Sequence, residues 1–297
     1  LFPAQEPAMN VAPSTLSSRP ASKQAIAAML DSPPRRYEKV EAALSPEQFE
    51  RFADLYAEIH RNAEDAVAGR RAAMHDLIVV PERGSTMICR TEYLHGSSPE
   101  LAKMIDGIIT PLIARFVGEP VCLFKDKCNE KSPGGGAFDP HQDIEAYRHF
   151  SGSNYFTAMV PLDPCTLENG CLQVAANMEA VIKADPSAVE QWLGIEPLLP
   201  AGKGGANNGV IDESVSSRLD WEAVPMARGD ILIFDSVVPH YSEPNHSPHS
   251  RRALFLTYNR RSEGDNYAYY YKRKREDAGN PIFHVATPTD FDGAKKG

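Results

Sequence analysis

His141, Gln142 and Asp143 follow a glycine turn, Gly134-Gly135-Gly136, within the run Gly134-Gly135-Gly136-Ala137-Phe138-Asp139-Pro140-His141-Gln142-Asp143. An imidazole and a carboxylate two positions apart point to one face if the run is extended, because successive strand side chains alternate. They would supply two corners of a 2-His-1-carboxylate site, an arrangement that holds iron(II) and leaves coordination positions open. A lone His-x-Asp is common by chance, so such a site needs a second histidine in the right setting. One stands at the end of the run Asp230-Ile231-Leu232-Ile233-Phe234-Asp235-Ser236-Val237-Val238-Pro239-His240, which reads as an apolar strand, a short loop and a histidine. Arg251 follows His240 by eleven residues and opens the next β-like stretch.

The elements that must carry these residues can be read from patterning. Ser45-Pro46-Glu47-Gln48 reads as a helix start, with Ser45 and Gln48 forming a capping box and Pro46 in the first turn. Phe49, Phe52, Tyr56 and Ile59 then make one apolar stripe at steps of three and four, suited to backing a sheet; Tyr56 and His60 are read as structural. His75 to Val80 and Met87 to Tyr93 read as short extended segments. A second helix starts at Ser98-Pro99-Glu100, should kink or split at Pro111, and ends near Gly118-Glu119-Pro120. From Val121 the pattern turns to strands. Val121 to Asn129 alternates, with Lys125, Lys127 and Asn129 on one face, and Tyr155 to Leu162, Gly170 to Ala175, Ile231 to Phe234 and Arg251 to Asn259 follow. Helices first and many short strands afterwards predict a mainly β core backed by N-terminal helices.

Residues 1–36, rich in Pro, Ser and Ala, read as a flexible arm with one short helix around Lys23 to Leu30, and 37–297 as a single domain. The interval of about 177–219 interrupts the strands. It is read as a lid insertion with a helix around Ser187 to Leu193 and a Gly-rich loop. The tyrosines Tyr267, Tyr269, Tyr270 and Tyr271 suit either a subunit contact, hence a possible homo-oligomer, or packing on the core.

The ordered set His141-Gln142-Asp143, Gly229-Asp230 with its apolar run, His240-Tyr241-Ser242 and Arg251-Arg252-Ala253-Leu254 resembles the phytanoyl-CoA dioxygenase family from about Ser45 to Arg275. That resemblance implies a double-stranded β-helix, or jelly roll, and an oxygenase that uses iron(II), 2-oxoglutarate and O2. It assigns His141, Asp143 and His240 as metal ligands and Arg251 as the clamp for the far carboxylate of 2-oxoglutarate. A guanidinium fork meets a carboxylate bidentately and lysine does not do so equally well. Strand alternation sends Arg252 to the other face. Ser242 is expected to assist the same carboxylate, with Thr157, Lys125 and Lys127 as further contacts. Tyr147, Asn154 and Tyr155, and Trp192 in the lid, are candidate substrate contacts. Lys125-Asp126-Lys127 and Pro133-Gly134-Gly135-Gly136 resemble a subgroup acting on small polar or natural-product molecules. A carboxylate at Asp143 points to hydroxylation rather than halogenation.

The rival readings are a jelly-roll binding module without catalysis and a zinc hydrolase on the same triad. Retention of all four of His141, Asp143, His240 and Arg251 speaks against the first, and the arginine has no task in the second. The resemblance implies a small-molecule substrate, and composition argues against other partners. A net charge of -9 argues against nucleic acid, and the basic run Lys272 to Arg275 is read as a solvated segment. No stretch of about 18 apolar residues offers a membrane span, and no secretory signal is visible after Leu1. Five scattered cysteines without a Cys-x-x-Cys pair favour a reducing, cytoplasmic setting. Cys165 and Cys171 are read as packing residues rather than zinc ligands. His149, His246, His249 and His284 are given no functional role.

Overall fold

The computed structural model describes residues 22–81, 86–201, 209–280 and 283. In chain order the first strands are β1 (Tyr37–Val40), β2 (Ile78–Pro81), β3 (Ile88–Glu92), β4 (Val121–Lys131), β5 (Phe138–His141), β6 (Phe156–Pro161) and β7 (Leu172–Ala175). They are followed by β8 (Gln191–Leu193), β9 (Glu196–Leu198), β10 (Trp221–Val224), β11 (Ile231–Asp235), β12 (His240–Ser242) and β13 (Arg251–Arg260). Seven of them form a large sheet in the order β1-β11-β6-β13-β4-β3-β2, and four form a smaller one, β10-β7-β12-β5. The pairings that order the two sheets are antiparallel and run between strands distant in sequence, as a jelly roll requires.

The central strands are apolar on both faces because both faces are covered. Ala158, Val160, Ile231, Ile233, Leu254 and Leu256 join the cluster under the N-terminal helices. Met159, Leu232, Phe234, Ala253 and Phe255 alternate with them and pack inward against Leu172 and Val174 of the small sheet. The helix Pro46–Val67 supplies the outer cover. Its capping box forms, with Gln48 N–H donating to Ser45 Oγ at 3.2 Å and Ser45 N–H to Gln48 Oε1 at 2.9 Å. Phe49, Phe52, Tyr56 and Ile59 are buried, each worth roughly 1.5–3 kcal/mol of transfer free energy. The Tyr56 hydroxyl and His60 Nε2 both reach the Glu130 carboxylate, at 2.6 and 2.9 Å, and tie the helix to the outer face of β4. The second helix divides where the sequence predicts. Pro111 lacks an N–H to continue the ladder, and the chain passes from α (Pro99–Met104) through a π turn (Ile105–Ile109) to α (Thr110–Val117).

Several expectations are corrected. Of the arm expected over 1–36, the first 21 residues lie outside the described ones. The remainder is anchored: Lys23–Asp31 is helical, and the buried Arg36 donates to Glu179 at 2.9 Å, Glu196 at 2.6 Å and Asp235 at 2.8 Å. In the insertion the helix falls at Met178–Ala184. Residues 187–193 instead hold part of a short 3-10 turn and the first strand of the β8–β9 hairpin, since Pro186 stops one helix and Asp185 caps a tighter turn. The Gly-rich loop at 202–208 lies outside the described residues, as does His284. The run Lys272 to Arg275 is not uniformly solvated: Lys274 is buried against Glu92, on a helix Tyr267–Glu276 whose Tyr270 and Tyr271 pack on the barrel. Among the described residues no helix is long and apolar enough to cross a membrane.

Candidate active site

His141 ends β5 and His240 begins β12. The two strands are neighbours in the small sheet, and these residues stand directly opposite each other. Their rings lie 4.2 Å apart, centroid to centroid. Asp143 does not lie on a strand. The chain leaves β5 after His141, and Asp143 takes a helical conformation at the N-terminus of a one-turn helix, Ile144–Tyr147, without capping it. This turn brings the carboxylate back towards the imidazoles, so that one ligand atom from each of His141, Asp143 and His240 lies within 4.8 Å of the others.

The surroundings fix this geometry. Ile144 N–H donates to Ser236 O at 2.8 Å, joining the loop after Asp143 to the loop before His240. Asp235 Oδ1 accepts from Val237 and Val238 N–H, both at 2.9 Å, and shapes the latter loop. Gln142, buried between the two ligands, donates to Val237 O at 2.6 Å and to Pro197 O at 3.0 Å, and accepts from Leu199 N–H at 2.8 Å. The insertion is therefore fastened to the triad. Val210 also bridges to His141, and Ile211 N–H donates to Pro140 O at 2.8 Å.

The donor set fits a divalent metal. His141 Nδ1 bonds to Asp139 O at 2.7 Å and His240 Nδ1 to Val238 O at 3.0 Å, which makes each Nδ1 the protonated nitrogen and leaves each Nε2 with its lone pair for the site. Burial lowers the pKa of both histidines, that of His141 to about 3 with His240 adding to the effect, so both are neutral. Burial works against charge at Asp143, but His240, Lys127 and His141 hold it down at about 2, so it is ionised.

A cavity runs from the triad to Arg251 and is lined also by Lys127, Ser242 and the apolar Phe138, Leu172 and Phe255. Arg251 is buried. Its Nη2 donates to Gly170 O at 2.6 Å, and its Nε has no hydrogen-bond partner. A buried guanidinium with an unpaired N–H in the same cavity as a metal-ligand set suits a dicarboxylate that chelates with one end and pairs with the other. Lys131 faces Arg251 across the β4–β13 pair. Its ammonium donates to Ser242 Oγ at 2.8 Å, to Ser242 O and to Glu243 O. Two cations in direct register repel. Burial, and then Arg251, hold the Lys131 pKa well below its usual value. Arg252, one residue on, points outward and pairs with Asp163 through Nε at 2.8 Å and Nη2 at 2.9 Å.

Residues 36–253 match the family described as Phytanoyl-CoA dioxygenase (PhyH). The chain belongs to this family. Membership makes it an oxygenase of the iron(II)- and 2-oxoglutarate-dependent kind. It is 36% identical to 2-aminoethylphosphonate dioxygenase from Uncultured bacterium HF130_AEPn_1 over 66% of this chain and 68% of the relative. It is 37% identical to methylphosphonate hydroxylase from Gimesia maris over 69% and 73%. Among solved structures it resembles EctD from S. alaskensis with 2-oxoglutarate and 5-hydroxyectoine, with a TM-score of 0.60 and 21% identity over 85% of this chain and 81% of that one. At that identity the likeness supports the fold, the jelly roll of the PhyH enzymes.

A second cavity of this PhyH protein meets the first at Asp143 and Lys127. Arg90, Glu92, Lys125 and Lys274 complete its polar wall, with Ala146 and Phe283 beside them. It is a small, partly enclosed space beside the first. Of the cofactor contacts expected from sequence, Lys127 lines both cavities, Lys125 the second, and Ser242 the first. Thr157 lines neither: it is buried in the large sheet, its hydroxyl 3.0 Å from that of Thr257. Asn154 and Tyr155 are also structural. Asn154 Oδ1 accepts from Tyr155 N–H and Ser236 Oγ, and the Tyr155 hydroxyl accepts from Gly152 N–H at 2.9 Å. Tyr147 is buried, lends its ring face to Lys125 Nζ at 4.6 Å and has an unpaired hydroxyl. Trp192 packs at the margin of an aromatic cluster. Lys131, Arg90, Glu92 and Lys274 were missed. The alternation of β4 already points to Lys131, two residues beyond Asn129; nothing local marks the other three.

Proposed function

We propose that this protein hydroxylates a C–H bond of a small organic molecule, with His141, Asp143 and His240 holding iron(II) and Arg251 holding the far carboxylate of 2-oxoglutarate. The reaction consumes O2 and 2-oxoglutarate and yields the alcohol, succinate and CO2. The observation that carries this reading is the shared chamber: three converging ligand atoms at one end and a buried, partly unpaired guanidinium at the other. Bound iron(II) supplies the activation of O2 coupled to decarboxylation of the 2-oxo acid.

The chain's own residues do the rest. The imidazoles stay neutral and give their Nε2 lone pairs, while Asp143 contributes one negative charge. Arg251 meets the carboxylate with Nε and its remaining N–H groups, and Lys131, across the strand pair, holds the Ser242 hydroxyl in place. Phe138, Leu172 and Phe255 exclude water from the chamber. Gln142 holds the β8–β9 hairpin over the ligands. The relatives named for 2-aminoethylphosphonate and methylphosphonate support a substrate of few heavy atoms with an anionic head, and the basic lining of the second cavity suits that charge. A role on a natural-product intermediate is kept only for molecules of that size. Free cysteines, four of them buried, support a reducing compartment.

The test is anaerobic titration of the iron(II)-loaded protein with 2-oxoglutarate, followed by the visible charge-transfer band of a chelated 2-oxo acid. The band is expected with the unaltered protein and absent in His240→Ala. Iron binding without the band, or a band that survives in His240→Ala, removes the triad from the metal site.

A further inference from the structure

The second cavity is unusual in its charge. Four cationic side chains from three separate elements line it: Arg90 on β3, Lys125 and Lys127 on β4, and Lys274 on the C-terminal helix. Two carboxylates face them. Asp143 belongs to the metal-ligand set, and Glu92 is taken by Lys274, whose ammonium donates to both its oxygens at 2.7 and 2.6 Å. Arg90 Nη1 stands 3.5 Å from Glu92, and its Nε donates to Asn129 Oδ1 at 3.2 Å. Neither Lys125 nor Lys127 has a hydrogen bond or ion pair with a described protein group. Their ammonium groups lie instead over aromatic faces, Lys125 at 4.6 Å from the Tyr147 centroid and Lys127 at 5.4 Å from that of Phe255. Four basic side chains face two carboxylates in a confined space, an excess of two that can be fully charged only with an anion beside it.

We propose that Arg90, Lys125, Lys127 and Lys274 form the head-group site for a small organic phosphonate, bound as its tetrahedral dianion, with the carbon attached to phosphorus turned towards the triad. This rests on the oxygenase reading above and names its substrate class. Two basic side chains in excess fit a dianion, whereas a carboxylate or a sulfonate would match one. Donors from three separate elements suit the tetrahedral array of three oxygens rather than the two coplanar ones of a carboxylate. Asp143, one of the metal-ligand set, lines both cavities, which puts the atom bonded to the head beside the reacting position. The bond broken is a C–H on that carbon. The oxygen inserted comes from O2, and 2-oxoglutarate is the two-electron reductant, leaving as succinate and CO2.

Isothermal titration calorimetry on the protein loaded anaerobically with iron(II) and 2-oxoglutarate tests this. The probes are methylphosphonate, 2-aminoethylphosphonate, methanesulfonate and acetate. Either phosphonate is expected to bind at least tenfold more tightly than both monoanions; equal affinities overturn the proposal. Lys125→Met removes a buried amine that has no hydrogen bond or ion pair with a described protein group, so it should fold at least as well as the parent and weaken phosphonate binding at least tenfold. Arg90→Gln should act in the same direction. Unchanged binding in both variants overturns the site. The charge-transfer band of bound 2-oxoglutarate is read in the same samples and is expected to persist in both, so that loss of the oxygenase reading and loss of the head-group site are separate results. Succinate release stimulated by a phosphonate and not by methyl phosphate supports the phosphonate assignment; the reverse overturns it.

Discussion

Replacing Arg251 with Ala should raise the dissociation constant for 2-oxoglutarate by about 30-fold to several thousand-fold. The range follows from the site. Arg251 is 2% exposed, one of its N–H groups is spent on Gly170 O, and Nε is buried without a partner. A carboxylate seated there forms a desolvated, hydrogen-bonded charge pair, and truncating one side of such a pair costs about 2–5 kcal/mol, with 1.4 kcal/mol per tenfold. Arg251→Lys keeps the charge and loses the fork, so a smaller loss of roughly ten- to hundredfold is expected. Arg252→Ala is the control. Its guanidinium pairs with Asp163 on the opposite face of β13, so it should cost at most about 1 kcal/mol of stability and leave 2-oxoglutarate binding unchanged. The assay is the anaerobic charge-transfer titration, with a thermal melt of each variant to show that it is folded. A folded Arg251→Ala whose affinity falls less than tenfold, or an Arg252→Ala that loses as much, would refute the assignment of the clamp.

Three further outcomes follow from the packing. Arg36→Met strands Glu179, Glu196 and Asp235 around a vacated charge, and should cost about 3–5 kcal/mol in denaturant unfolding; a loss under 1 kcal/mol would mean the cluster is not formed in solution. Gly170 has φ +73°, and a Cβ there would lie 2.2 Å from Glu243 O; Gly170→Ala should therefore lower thermal stability and, by shifting the carbonyl that Arg251 uses, weaken 2-oxoglutarate binding too. The hydrogen bond to Glu130 raises the pKa of His60 above 6.5, against the opposing effect of burial. That stabilisation is complete below pH 6.5 and is lost as pH rises through the raised value; His60→Gln should thus lower stability by on the order of 1 kcal/mol at pH 5.5 and much less at pH 9, and a penalty that is the same at both would show that His60 is not charged in the fold.

The triad, Arg251 and the strand-rich core were legible because each is signalled by local order: a His-x-Asp after a turn, an apolar run ending in histidine, an arginine opening the next strand. Strand period also set the opposite faces of Arg251 and Arg252. It misled at Asp143, where an assumed extended run is in fact a strand end followed by a helical turn; both routes bring the carboxylate near His141, and only the backbone distinguishes them. The cation-lined cavity was not legible. Arg90, Lys125 and Lys274 come from segments whose meeting depends on how a C-terminal helix lies across β3 and β4. Lys274 in particular sits in a charged stretch that reads as solvent-facing, and only its burial on Glu92 reveals otherwise. Thr157, Asn154 and Tyr155 lie near the motifs in sequence, but their polar groups are occupied in holding the barrel together.

β4 sets Lys125, Lys127, Asn129 and Lys131 at alternate positions, held by β13 on one side and, at its middle, by β3 on the other. At about 3.3 Å per residue the four span roughly 20 Å, from the proposed head-group site to the back of the Arg251 chamber. A single-residue deletion between 125 and 131 would turn part of this row outward and set the two ends out of phase, so frame changes there should be far less tolerated than substitutions. The strand accommodates one irregularity, at Phe124, where Thr257 pairs with Lys125 and Tyr258 with Leu123. It lies just upstream of the row, where an extra residue leaves the spacing intact. Replacements at the Lys125 end of the row therefore leave the register of Lys131 opposite Arg251 unchanged.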